Sequence, residues 1–423
     1  MIKALIIFVL MYIGMLAFSK YRVWFALGGA VAMIVCGVLS VTKIPSAINW
    51  NVIMMIAGTM GIVSLFIETG MPARLADLML KKMPNACWAI IALSVFSGVV
   101  SAFVDNVATV LMVAPVGLAI CKKLKINPVP VIIAIAVSSN LQGAATLVGD
   151  TTSILLGGYA DMSFIDFIFW QGKFSIFWAV ELGALGTVAI LYAIFKKEKQ
   201  PVSCERLTPV SDYVPGIILL LVVVFLIIAS FFEIPVIDDI KNGLICMILC
   251  IFDVVRSCIK KKNTEPFKLV CKEMDYQTLL MLCGLFIVIA AITEAGIIDR
   301  IADWFASIGN GNVFFLYTVI VFGSVILSAF IDNIPYVAAM LPVVQGIAIK
   351  LGINPVVLYF GLLSGATLGG NITPFGASAN VAGMGILRKE GYEVKNSDFF
   401  KIGIPFTLTA VLIGYVFIWF VWS

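Results

Sequence analysis

Histidine is absent from this chain of 423 residues, and charged side chains make up only 12% of it. The first absence excludes metal sites and proton relays that need imidazole. Nine cysteines are present but none stand as CxxC. They lie mostly in or beside apolar segments, where a cysteine is a small buried hydrophobe. HExxH and GxxxxGK[ST] do not occur, and no GxSxG stands at a strand-to-helix turn. Zinc proteolysis, self-contained ATP hydrolysis and an elbow-type serine nucleophile therefore have no motif to rest on. The net charge of +4 is spread over short loops, which orients helices and does not form a nucleic-acid patch.

What fills the chain is apolar, 61% of all residues. A bilayer crossing needs roughly 20 mostly apolar residues. Apolar spans run over 2–18, 23–41, 51–68, 86–104, 107–121, 129–157, 174–195, 213–232, 240–256, 276–293, 312–330, 334–348, 355–384 and 402–422. The first has an early Lys but no small-residue cleavage pattern after it, so it reads as a retained span. The pairs 86–104/107–121 and 312–330/334–348 are separated only by polar tips, Asp105-Asn106 and Ile331-Asp332-Asn333. Two apolar arms with no room for a loop predict a re-entrant hairpin. The spans 129–157 and 355–384 are interrupted by Gly and polar residues and predict broken helices.

The halves repeat. Glu68-Thr69-Gly70 matches Glu294-Ala295-Gly296 at an offset of 226. At 227, Ser101–Asn106 (SAFVDN) matches Ser328–Asn333 (SAFIDN), Pro115 matches Pro342, and Gly143, Thr146 and Gly149 match Gly370, Thr373 and Gly376. The sequence thus divides into a first repeat at 1–195, a hydrophilic cytoplasmic linker at 196–212 and a second repeat at 213–423. Cytoplasmic loops carry excess Lys and Arg. The linker has Lys196, Lys197, Lys199 and Arg206, and loop 256–274 has Arg256, Lys260, Lys261, Lys262, Lys268 and Lys272. The loop between them has Glu233, Asp238 and Asp239. Counting from there puts loop 70–85 inside and its counterpart 294–311 outside. The fold expected is therefore an all-α polytopic membrane protein of two inverted repeats, each with five crossings, a re-entrant hairpin and a broken helix.

Irregular backbone at membrane depth needs protein or a water-filled cavity to satisfy it. In inverted-repeat transporters such segments meet near the midplane and form the ligand site. A carboxylate at the bilayer centre costs about 2.5–3.5 kcal/mol on insertion scales. Asp105 and Asp332, at equivalent hairpin tips, are the sharpest candidates, as Na+ ligands or proton carriers, with Asn106 and Asn333 adding neutral donors. The plainer alternative is that each Asp merely caps the helix after it. The first break offers Asn140, Gly143, Thr146 and Asp150, and the second offers Gly370, Asn371, Thr373 and Asn380. Asp150 either joins the site or caps the second half of its broken helix; Glu181 reads as an interhelical hydrogen bond with a proton carrier as the alternative, and Glu68 and Glu294 read as structural.

With SAFVDN and Pro115, SAFIDN and Pro342, NLQGAATLVGD and GGNITPFGASANVAGMGI, nearly the whole chain resembles the ion transporter superfamily, in its arsenite permease, NhaD-type sodium/proton antiporter and P-protein branch. One departure is Gly149-Asp150-Thr151-Thr152-Ser153 where that branch commonly has Gly-Asp-Pro-Pro-Asn. The resemblance implies an elevator-type secondary transporter, often a homodimer, in the cytoplasmic membrane of a prokaryote. The residues predict a carrier of a small inorganic ion or solute, with no enzymatic activity and no cofactor beyond coupling Na+ or H+. Arsenite or antimonite efflux and Na+-coupled uptake of a small carboxylate such as citrate are open alternatives, and a channel is a remote one. A C-terminal fusion at Ser423 to alkaline phosphatase is expected to be active and a green fluorescent protein fusion there dark, because counting puts that end outside. The reverse pair of results would invert the topology.

Overall fold

The computed structural model describes residues 1–202, 207–232, 237–309 and 311–423. Arg206 and Glu233, which enter the loop-charge argument, and Cys204 lie outside the described residues. The first half holds α1 (Ile2–Ala17), α2 (Arg22–Val35), α3 (Ile44–Ala47), α4 (Trp50–Glu68), α5 (Met71–Leu80), α6 (Ala86–Ser101), α7 (Asn106–Leu124), α8 (Pro128–Gly143), α9 (Thr151–Tyr159) and α10 (Ile176–Phe195). The second holds α11 (Val214–Ala229), α12 (Lys241–Lys261), α13 (Glu265–Glu273), α14 (Tyr276–Glu294), α15 (Ile297–Gly309), α16 (Val313–Ser328), α17 (Asn333–Leu351), α18 (Val356–Gly369), α19 (Ser378–Lys389) and α20 (Asn396–Trp422). A two-stranded antiparallel ribbon, β1 (Phe169–Trp170) and β2 (Lys173–Phe174), precedes α10. Among the described residues, seven helices are long and apolar enough to cross a membrane.

Element order recurs from one half to the other, and so do the local signals that set it. Asn49, Asn85, Asp105 and Asn127 cap α4, α6, α7 and α8 by accepting from backbone N–H groups. Asp275, Asn312, Asp332 and Asn354 do the same for α14, α16, α17 and α18. The left-handed turn after α4 is Gly70 (φ 74°) and that after α14 is Gly296 (φ 71°), residues that accept this conformation without a Cβ clash.

Packing recurs too. Helix α6 lies on α8 and α16 on α18, while α4 is paired with α12 and α14 with α2, so each half lends a helix to the other. Helices α10 and α20 close the contact between halves. Every residue of α18 is buried, as is all of α8 except Pro130. A helix apolar on all sides belongs inside its fold, and these two form the centre.

The linker is tied down. Glu198 and Gln200 carbonyls accept from the N–H groups of Cys87 and Ala86 at the start of α6, and Asp77 Oδ2 accepts from Thr208 N at 2.7 Å. Asp212 accepts from Arg256 at 2.6 and 3.1 Å and lies 3.0 Å from Lys260. Burial alone would raise the Asp212 carboxyl, but these two cations hold it well below the usual carboxylate range. A depressed folded-state pKa stabilises above the unfolded value and is lost as pH falls through the folded one. Replacing Arg256 by Met is expected to cost about 1–3 kcal/mol, read as a lower melting midpoint of the purified protein near pH 7. That deficit should shrink as the medium is acidified.

Candidate functional site

The breaks in the central helices are where the chain leaves helical hydrogen bonding. Helix α8 stops at Gly143 and α9 starts at Thr151; α18 stops at Gly369 and α19 starts at Ser378. Each break is seated against the tip of its own hairpin. Thr146 Oγ1 donates to the Ala102 carbonyl, and Thr373 Oγ1 donates to the Ala329 carbonyl at 2.5 Å. Glycine is required beside them. A Cβ on Gly149 would lie 2.6 Å from the Gly143 carbonyl oxygen and 2.9 Å from that of Ala102. One on Gly376 would lie 2.7 Å from the Gly370 oxygen and 2.9 Å from that of Ala329.

The two breaks are then joined by amides. Asn140 Oδ1 accepts from Asn106 Nδ2 at 2.9 Å, while Asn140 Nδ2 donates to Asn371 Oδ1 at 2.8 Å and Asn380 Oδ1 at 3.0 Å. Asn371 Nδ2 continues to the Val137 carbonyl, and Asn380 Nδ2 serves the carbonyls of Gly370 and Thr373, each at 3.0 Å. All four Asn side chains are buried. Ser153 Oγ donates to the Gly143 carbonyl at 3.3 Å, as Asn380 does to that of Gly370. The serine at this departure keeps half of the asparagine's role.

Asp150 is buried, with Oδ2 accepting from Thr152 Oγ1 at 2.7 Å and, at 3.5 Å, from Asn333 Nδ2 of the opposite hairpin tip. Thr152 Oγ1 in turn lies 3.1 Å from Thr367 Oγ1. Asp105 caps α7, its Oδ1 accepting from Val107 N at 3.0 Å and Ala108 N at 3.2 Å. A cavity of about 450 Å³ reaches Asp105, Asn106, Asp150 and Asn333 and extends to Glu68, Glu273 and Asp275. Among the described residues, no Lys or Arg lines it.

Of the expected residues, Asp105, Asn106, Asp150 and Asn333 line the cavity; Asn140, Asn371 and Asn380 form the amide network, and Gly143, Thr146, Gly370 and Thr373 belong to the breaks without lining it. Asp332 caps α17 through Ile334 N at 3.2 Å, but it does not line the cavity; its Oδ2 accepts from Arg22. The tip aspartates match in sequence and differ in surroundings. Glu68 pairs with Lys261 at 2.8 Å and also borders the cavity, and Gln142 Nε2 reaches Glu181 Oε2 at 3.4 Å. Arg22, Thr367, Glu273 and Asp275 were not foreseen. Thr367 had a signal, since it stands 227 residues after Asn140. Arg22 had only its place, with Lys20, in the short turn between two apolar spans.

A family model described as a citrate transporter matches residues 5–349 and 261–423. An uncharacterized transporter of Mycobacterium tuberculosis is 30% identical over 99% of this chain and 98% of its own. The P protein of Sus scrofa is 25% identical over 89% of this chain and 53% of its own. Among solved structures, the YdaH transporter of Alcanivorax borkumensis shares the fold with a TM-score of 0.60, 14% identity and coverage of 89% of this chain and 86% of that one. Neisseria gonorrhoeae MtrF does so at 0.57, 16%, 89% and 83%. The family model names citrate, where the motifs resemble the arsenite permease and NhaD-type branch.

Gly149→Ala is expected to destabilise the protein by about 1–3 kcal/mol through overpacking, seen as a lower melting midpoint. Gly28→Ala, which meets nothing within 4 Å, should leave it unchanged.

Proposed function

The chain belongs to the citrate transporter family, a multi-pass membrane transporter, and from that premise we propose that it is a cation-coupled secondary carrier of the elevator type. In this reading its halves are inverted repeats, each with a re-entrant hairpin, and Na+ or H+ binds at Asp105 and Asp150. The observation that carries it is the cavity between the hairpin tips, lined by carboxylates and, among the described residues, by no basic side chain. Carboxylates in a low-dielectric site need a counter-cation or a proton, and the cavity gives one a way in. Amides of Asn106 and Asn333 and the broken-helix backbone supply the neutral oxygens and N–H groups that a bound solute would meet.

The depth of the tips supports an inward-facing arrangement. Asp105 shares the cavity with Asp275 and Thr278 at the start of α14, and Glu273 of the basic 256–274 loop borders the same space. Asp332 reaches Arg22 at the start of α2. Both tips thus stand near the helix ends that face basic loops, which is the cytoplasmic side by the charge rule. An outward state would carry them toward Asn49 and Glu294.

The family description favours a small carboxylate as cargo. The acidic lining repels a free polyanion, so such a cargo enters with cations already bound. Arsenite and antimonite, as neutral hydroxides, meet no such barrier. Purified protein in liposomes with a trapped pH dye separates these readings when sodium, lithium, citrate and arsenite are added in turn. Asp105→Asn and Asp150→Asn are each expected to weaken cation activation more than roughly 100-fold, for a lost charged ligand costs about 3 kcal/mol. Full cation activation in both variants would overturn the site.

A further inference from the structure

The two hairpin tips are not used alike. Asp105 and Asp332 cap their helices through one oxygen in the same way. The second oxygen of Asp332 is taken by the Arg22 guanidinium, whereas Asp105 faces the cavity and, among the described residues, no cationic side chain lines that space. Arg22 is firmly placed. It opens α2, which packs along α14, and Tyr12 Oη of the preceding helix donates to the Pro335 carbonyl in the first turn of α17 at 2.7 Å. The turn between α1 and α2 is thus seated on the second hairpin from two points.

The counterpart of α2, helix α12, has no cation at the matching position. Gly284 of α14 lies against the backbone of Ala26, and Gly58 of α4 against that of Cys246, so α2 and α12 share a register in which Arg22 corresponds to Asn242. The cation beside that position, Lys241, pairs with Asp238 at 2.8 Å and donates to the Phe232 carbonyl, and at the far end of α12 Lys261 pairs with Glu68, which borders the cavity, at 2.8 Å. One tip carboxylate therefore has a cation built into the chain, and its twin has an acidic cavity instead.

We infer that Arg22 is a resident cation, holding at Asp332 the position that an exchangeable ion holds at Asp105. A buried or half-buried carboxylate is costly until it is paired. A tethered guanidinium pairs it at a fixed high effective concentration that free ions do not match. The chain then takes one exchangeable ion where its twofold design would take two, and the charge moved per cycle is set by Arg22. The inference rests on the cation-coupled reading for its meaning in transport, but the Arg22–Asp332 site itself is tested separately.

The test is the cation-dependent rise in melting midpoint of the purified full chain, with sodium, lithium or methylguanidinium chloride compared against choline chloride. A ligand that binds only the folded state raises that midpoint. Wild type is expected to show one cation response, lost in Asp105→Asn. Arg22→Ala should melt lower and gain an added response, largest with methylguanidinium, that disappears in the Arg22→Ala/Asp332→Asn double variant. Arg22→Lys should keep the wild-type response. An Arg22→Ala protein with no added response, or one that keeps it in the double variant, would overturn the inference. If Arg22→Ala does not fold, Arg22→Gln replaces it, and a Gln variant that responds as wild type does is equally fatal. Loss of only the Asp105-dependent response would sink the coupling reading and leave the Arg22 comparison standing.

Discussion

Everything at the centre of this protein depends on satisfying backbone groups where water is scarce. Two helices are broken in the most buried part of the fold, and each break frees carbonyls and N–H groups that cost several kcal/mol apiece if left alone. Asn380 meets this demand at the second break by donating to the Gly370 and Thr373 carbonyls, Ser153 meets it at the first by donating to that of Gly143, and Asn140 ties the two breaks together through Asn106, Asn371 and Asn380. The threonines at 146 and 373 meet it again by fastening each break to a hairpin tip. Because every member has a partner, the network costs little as a structure and offers polar atoms in a place where none would otherwise be tolerated.

Over this shared frame the halves diverge in charge. Asp150 has Ala377 as its counterpart, Asn371 has Ala144 and Asn140 has Thr367. A frame built by repetition packs well because the same helix pairs recur. That packing does not fix the polar side chains that face the cavity, so these can differ between the halves. The result is an acidic cavity at one tip and an internal ion pair at the other.

Much of the frame was legible in the sequence, and for physical reasons. Length and apolar content announce helices in lipid, and the Asn and Asp residues before apolar runs mark their starts. Repetition of SAFVDN as SAFIDN marks the hairpin tips, because a tight turn packed against a broken helix tolerates few residue types. The glycines at 149 and 376 follow from the same pressure, as only a bare Cα fits beside the hairpin carbonyls.

What sequence alone determined, then, is local: where helices begin, where they break, and which polar residues stand at the hairpin tips and the breaks. Tertiary structure decided which of those residues share a space. Asp105 and Asp332 are equal in the sequence, and only the folded chain brings Arg22 to one of them and a cavity to the other. Arg22 and Asp332 are 310 residues apart. Which charge neutralises which is a matter of distance in the fold, and spacing along the chain carries no trace of it.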